Sequence, residues 1–179
     1  LQTDLELIQA FRGGEPAAVD ELVRRHLNRV RNLLFQLVLD NHEADDLTQD
    51  VFARVLKSLK SFRGEARFDT WLHRIVLNVA YEHLKKAGRL ESIELSAGAM
   101  VSPIKTPEAS MAACERKDQI TMALGRLPAD LRTAIVLTTM QGMSAVEAAA
   151  VEDCPTGTMY WRIHEARRRL RDELKDLME

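Results

Sequence analysis

The sequence predicts an all-α chain built as two small helical domains joined by a flexible linker. Three observations predict it. Apolar residues recur at three- and four-residue steps through most of residues 1–87. That periodicity fades between 88 and 106, where small residues mix with Ser96, Gly98, Ser102 and Pro103, and it resumes over 107–179. The helix-start pattern of Ser or Thr followed three residues later by Glu occurs at Thr3–Glu6 and again at Ser144–Glu147.

Taken in order, Thr3 and Glu6 start a short helix that Gly13-Gly14 stops. Pro16 opens a long helix to about Leu39, with Leu22, Val23, Val30, Leu33, Leu34 and Leu37 on its buried side, and Asp40-Asn41 breaks it. A third helix runs from about Glu43 to Lys60 and a fourth from about Asp69 to Lys86, completing a compact bundle. Beyond the linker, Pro107–Arg126 reads as helix and Pro128 opens another to about Gln141. Ser144 then caps a helix expected to turn Val146, Ala149 and Ala150 inward. A turn at Val151–Cys154 follows, and Pro155 suits the first position of a last helix.

Three helical faces carry chemistry. On the last helix Met159, Ile163, Ala166 and Leu170 form the stripe that packs down. Its other side is aromatic and basic, with Trp161, His164, Glu165 and Arg168 flanked by Tyr160, Arg167 and Arg171. A helix, tight turn and second helix of this kind can enter a DNA major groove. Tyr160, Trp161, His164 and Glu165 would read base edges, and Arg162, Arg167, Arg168 and Arg171 would supply positioning charge. The plainer reading is a solvated basic face on an ordinary hairpin.

On the third helix Leu47, Val51, Phe52, Val55 and Leu56 span one side, while Asp46, Gln49, Asp50 and Lys57 cluster opposite, with Asp45 at the border. Such carboxylates can receive arginines from a partner helix, or simply face water. On the fourth helix Trp71, Arg74, Asn78, Tyr81 and Lys85 share a stripe apart from the core residues Leu72, Ile75, Val76 and Val79. Rings interleaved with cations suit an unpaired strand, because bases stack while phosphates are neutralised. The preceding Arg63, Arg67 and Phe68 surround Gly64 in a loop able to receive a flipped base, unless Phe68 and Trp71 are core residues.

Composition narrows the function class. The chain has 179 residues and a formal net charge of −2, so any DNA contact must come from local patches. Cys114 and Cys154 stand alone and are expected to be reduced thiols in packing, and the 5 His residues show no ligand spacing. No apolar run spans a bilayer and no signal peptide opens the sequence, so a cytoplasmic location is expected. No phosphate-cradling Gly loop, metal-ligand spacing or nucleophile with an evident base is present, so no enzyme, cofactor, metal or small-molecule substrate is expected.

Together these pieces resemble the extracytoplasmic-function (ECF) branch of the sigma-70 family of bacterial transcription initiation factors, over nearly the whole chain. ADDLTQDVF resembles the segment that docks on the coiled coil of the largest polymerase subunit. FRGEARFDTWLHRIVLNVAYEHLKK resembles the segment that melts and reads the minus-ten element, and the stretch from Leu127 to Leu170 resembles the minus-thirty-five reader. The resemblance implies core polymerase docking by Asp45, Asp46, Gln49, Asp50 and Phe52. It implies minus-ten contacts by Arg63, Gly64, Arg67, Phe68, Asp69, Thr70 and Trp71, then Arg74, Asn78, Tyr81 and Lys85. Minus-thirty-five contacts would come from Thr158, Tyr160, Trp161, Arg162, His164, Glu165, Arg167, Arg168 and Arg171. It further implies promoter DNA and core RNA polymerase as partners, and a restraining anti-sigma factor, often membrane-linked.

The last helix departs from the family pattern. Relatives usually carry a basic residue, a Ser and later another Arg where this chain has Tyr160, Trp161 and Glu165. A carboxylate there would disfavour guanine and favour cytosine N4, so an unusual minus-thirty-five motif is expected; alternatively Trp161 serves a protein that masks this face. A duplex-binding repressor or activator would leave the acidic helix and the Trp71–Lys85 stripe without a role, and a helical adaptor whose basic face binds an acidic protein predicts no salt-dependent DNA affinity.

Overall fold

The computed structural model describes residues 2–89 and 111–175, with side chains from Asp118 onward in the second stretch. Among the described residues there are helices and turns and no strand. The chain divides into two compact units, Leu1–His83 and Leu84–Glu179. The expected linker lies outside the described residues from position 90 onward.

In the first unit α1 (Asp4–Arg12) starts with a complete capping box: Thr3 accepts from the Glu6 N–H, and the Glu6 carboxylate accepts from the Thr3 N–H at 2.6 Å. α2 (Ala17–Val38) ends on Leu39, whose φ of 63° is left-handed. A leucine there costs about 1–2 kcal/mol. Burial of its side chain, at 6% exposure, offsets that. Asp40 accepts from the Glu43 N–H at 3.0 Å and starts α3 (Asn41–Leu59), two residues earlier than expected. α4 (Phe68–Lys86) follows a short loop. Leu7 and Ile8 from α1, Leu33 and Leu34 from α2, Val51 and Val55 from α3 and Val76 from α4 form a core almost closed to water. Three expected core residues differ: Val23 and Ile75 are half-buried and Leu56 is 41% exposed.

The second unit contains α5 (Met111–Gly125), α6 (Ala129–Ile135), α7 (Ala145–Glu152) and α8 (Thr156–Glu173). Residues 107–110, expected to begin α5, lie outside the described residues. The helix expected from Pro128 to Gln141 is α6 followed by a wider π-helical turn over Val136–Met140, closed by the Gln141 N–H on the Val136 carbonyl at 3.0 Å. Gly142 then turns at φ 70°, and the Ser144–Glu147 capping box opens α7. Asp153 ends α7 in the left-handed region, and Pro155 caps α8 from one position before its first residue. Leu131, Val136, Leu137, Ala148, Met159 and Ala166 are fully buried here.

The inward face of α7 is corrected. Ala148, Ala149 and Val151 are buried, whereas Val146 is 59% exposed and Ala150 is also exposed. In AVEAAAVE nearly every position is apolar, so composition carries no phase; the cap at Ser144 sets the start, and Val146 and Ala150, four apart, fall on the outer side.

Candidate nucleic-acid interface

The acidic face of α3 is open. Asp46, Gln49, Asp50 and Lys57 are exposed, opposite the buried Ala44, Leu47, Val51 and Val55. Asp45 is exposed too but held: Arg31 of α2 donates to it from Nε at 2.5 Å and from Nη2 at 3.3 Å, and this bonding keeps its carboxyl below the usual range. Phe52, expected among the docking residues, is buried at 8% exposure beneath that face. Leu56 instead stands out beside the acidic residues. It follows Gln49 by seven positions, two turns on, a spacing that would have found it.

The second surface joins the loop to α4. Every residue from Arg63 to Arg67 is exposed, with Gly64 at φ 75°. Beneath the loop lies an aromatic cluster: the Trp71 ring centroid is 5.1 Å from Phe62 and 5.6 Å from Phe68, and Phe62 and Phe68 meet edge to face at 5.9 Å. Phe68, expected in the loop, is 6% exposed and opens α4, because its ring gains more from this cluster than from water. Trp71 and Thr70 are half-buried. Arg74, Asn78 and Lys85 are exposed along the stripe, with Tyr81 half-buried and Ile75 likewise half-buried at its edge. Asp69 is engaged by Arg29 at 2.9 Å and lies 3.7 Å from Arg67. Sequence reasoning missed His73, buried at 3% exposure: burial pushes its imidazole below the ordinary value, although its Nδ1 N–H donates to the Asp69 carbonyl at 2.5 Å.

On α8, Tyr160 and Trp161 are 59% and 50% exposed, and His164, Arg167, Arg168 and Arg171 are exposed with them. Met159, Ile163 and Ala166 pack inward, Leu170 is half-buried, and Thr158 is half-buried at the border. Two expected contact residues are placed differently. Arg162 turns toward its own domain, pairing with the Glu152 carboxylate of α7 and lying 3.5 Å from Asp130 of α6; the Glu152 side chain is only 2% exposed. Glu165 accepts from Arg168 at 2.9 and 2.7 Å and from Arg169 at 2.8 Å, which pushes its carboxyl down to about 2. A carboxylate has about four lone-pair sites, so little capacity is left for a cytosine amine.

Cys154 is half-buried, and burial raises its thiol; the side chain of Cys114 lies outside those described. Asp4, His26 and Asp69 bring possible ligand atoms within 4.8 Å of one another, an assembly from three helices that linear spacing does not reveal. Arg25 and Arg29 already answer the two carboxylates, at 2.5 and 2.9 Å, so the group reads as an ion-pair network. No helix among the described residues is long and apolar enough to cross a membrane.

Residues 22–90 match Sigma-70 region 2, and residues 117–170 match Sigma-70, region 4. The chain is 34% identical to the ECF RNA polymerase sigma-E factor of Haemophilus influenzae, covering 98% of this chain and 97% of that one. It is 33% identical to the RNA polymerase sigma-H factor of Pseudomonas aeruginosa, covering 99% and 96%. Among solved structures, the sigma factor RpoE of Bartonella quintana in complex with the anti-sigma factor NepR superimposes with a TM-score of 0.67 at 28% identity, covering 87% and 96%.

Proposed function

The chain belongs to the ECF branch of the sigma-70 family and acts in transcription initiation, and from that premise we propose how its surfaces divide the work. The acidic face of α3, through Asp46, Gln49 and Asp50, docks on core RNA polymerase. The Arg63–Arg67 loop and the Trp71–Arg74–Asn78–Lys85 stripe capture the melted non-template strand of the minus-ten element. The outer face of α8 reads the minus-thirty-five element in duplex form. The protein breaks and forms no bond itself.

The observation that carries this reading is the exposed loop flanked by Phe62 and Phe68 of the ring cluster with Trp71, and continuous in sequence with a basic, polar stripe. A duplex-binding regulator needs no such surface, whereas an unpaired strand needs both rings and cations. At the minus-thirty-five element, the commitment of Glu165 to Arg168 and Arg169 leaves Tyr160, Trp161 and His164 as the base readers. Large rings offer apolar surface to thymine methyl groups, so the motif departs from the one arginine-bearing relatives select. An anti-sigma partner, like the one bound to the Bartonella quintana neighbour, is part of the proposal.

Transcription by purified core polymerase on a pooled random-promoter library, with the transcripts sequenced, tests it. Specific starts that share a minus-ten motif and an uncommon minus-thirty-five motif are expected. Starts carrying the ordinary family motif would overturn the α8 assignment, and absence of stimulation would overturn the strand-capture assignment. Asp50→Arg should abolish polymerase association while the fold persists; unchanged binding would reject the docking face.

A further inference from the structure

A segment whose residues are all exposed, as Arg63–Arg67 are, keeps one shape only if its ends are fixed. One short helix, α1, bonds to one end of this loop and reaches the other through His26. At the last turn of α1, Arg12 donates from Nη2 to the carbonyls of Leu59, at 3.2 Å, and of Phe62. These are the end of α3 and the residue just before the loop. A guanidinium there also suits the negative end of the α3 dipole.

At the first turn of α1, Asp4 accepts from His26 Nε2 at 2.9 Å. His26 is buried among the helices, its ring centroid 5.2 Å from that of Phe68 in an edge-to-face arrangement and its Nδ1 4.0 Å from Asp69. Phe68 and Asp69 are the first residues after the loop. Arg25 at 2.5 Å holds Asp4, and Arg29 at 2.9 Å holds Asp69, so both carboxylates are oriented. α1 therefore meets the foot before the loop directly and the foot after it through His26. Leu7 and Ile8, at 2% and 1% exposure, already dock α1 on the core. The polar side chains at its two ends both lead to the same loop.

We propose that α1 is a strut that sets the conformation of the Arg63–Arg67 loop, with Arg12 and Asp4 as its positioning residues. Its use rests on the strand-capture reading above: a preformed loop spends less of its binding energy on ordering when a strand arrives.

Amide hydrogen exchange on the full chain tests the strut without any DNA. Arg12→Met should raise exchange about fivefold or more at Ser61, Phe62 and Trp71, whose N–H groups are bonded at the two feet of the loop, with interior amides of α2 and α3 changing far less. Asp4→Asn should do the same, most strongly at Phe68–Trp71, and Arg12→Lys, which keeps a donor, should recover part of the protection. Unchanged exchange at these foot amides in both variants overturns the strut. An equal rise across α2 and α3 overturns it as well, since α1 would then stabilise the whole unit. A second arm measures affinity of the polymerase-bound protein for a single-stranded minus-ten oligonucleotide, where a loss of about tenfold is expected for the strut variants. Loosened exchange with undiminished strand affinity overturns the preorganising role, provided that Arg63→Ala with Arg67→Ala does lose affinity. If that loop variant also binds as before, the strand-capture reading has failed and the strut stands on the exchange result.

Discussion

The α4 surface of the first unit and the α8 surface of the second use the same residue types in opposite ways. Around α4 the rings are packed and the cations extended: Trp71 leans on Phe62 and Phe68, while the Arg63 and Arg67 side chains are 84% and 80% exposed, their nearest carboxylates 3.8 and 3.7 Å away. Around α8 the rings stand out and several cations are committed, with Arg162 on Glu152 and Arg168 and Arg169 on Glu165. A fixed ring with loosely held arginines suits a strand that must be caught out of its stack. Protruding rings on a cross-linked helix suit a groove whose shape is already given.

The largest effect tests the cross-linking. Arg162→Met leaves Glu152, whose side chain is 2% exposed, without its guanidinium. Breaking a fully buried pair costs roughly 3–5 kcal/mol. Because the Arg162 side chain keeps 22% exposure, about 2–3 kcal/mol is expected here. For a small domain that lowers Tm by about 10 °C or more. Calorimetry should show the loss in the second unit alone, with duplex binding impaired and polymerase docking retained. An unshifted transition would mean the clasp between α6, α7 and α8 contributes little.

A smaller effect separates the cations of the two regions. Arg63→Ala with Arg67→Ala should weaken single-strand binding about tenfold and make the salt slope shallower by about 1.4, since each phosphate contact on a single strand contributes about 0.7. Arg167→Ala with Arg171→Ala should act on duplex binding, with a slope change of about 1.8. Equal losses on both substrates from either pair would erase the distinction between the regions.

Local rules made the helices legible, and tertiary partners hid parts of the sites. The capping boxes at Thr3 and Ser144 depend on residues three apart, and both form as expected. Periodicity placed the Met159–Ile163–Ala166 stripe correctly, because α8 is polar elsewhere and its phase is unambiguous. It misassigned Leu56 and Val146, where apolar residues occur around much of the helix and only packing sets the centre of the buried arc. Nothing local announces that Asp130 and Glu152, on two other helices, converge on Arg162. The pairing of Glu165 is local and legible, since Arg168 and Arg169 lie three and four residues on, the helical spacing for ion pairs.

The smallest expected effect is in acid, and it sharpens the comparison with the two tryptophans of the chain, Trp71 and Trp161, as one reporter in each region. Burial lowers the folded-state pKa of His73, with Arg29 and His26 opposing its charge and the Asp69 carbonyl and carboxylate favouring it. The unfolded chain then takes up a proton that the folded one resists, so stability falls as pH drops through 6.5, the ordinary value. Glu165 behaves differently: its bonds to Arg168 and Arg169 contribute above pH 4.5 and are lost only as pH falls from there towards about 2. Denaturant melts of Trp161→Phe and Trp71→Phe between pH 7 and 5 should show a falling midpoint for the Trp71 signal and a steadier one for Trp161. His73→Gln should flatten the Trp71 response over that range. If the slope survives that substitution, another group titrates the first unit and the buried imidazole is not its acid-sensitive element.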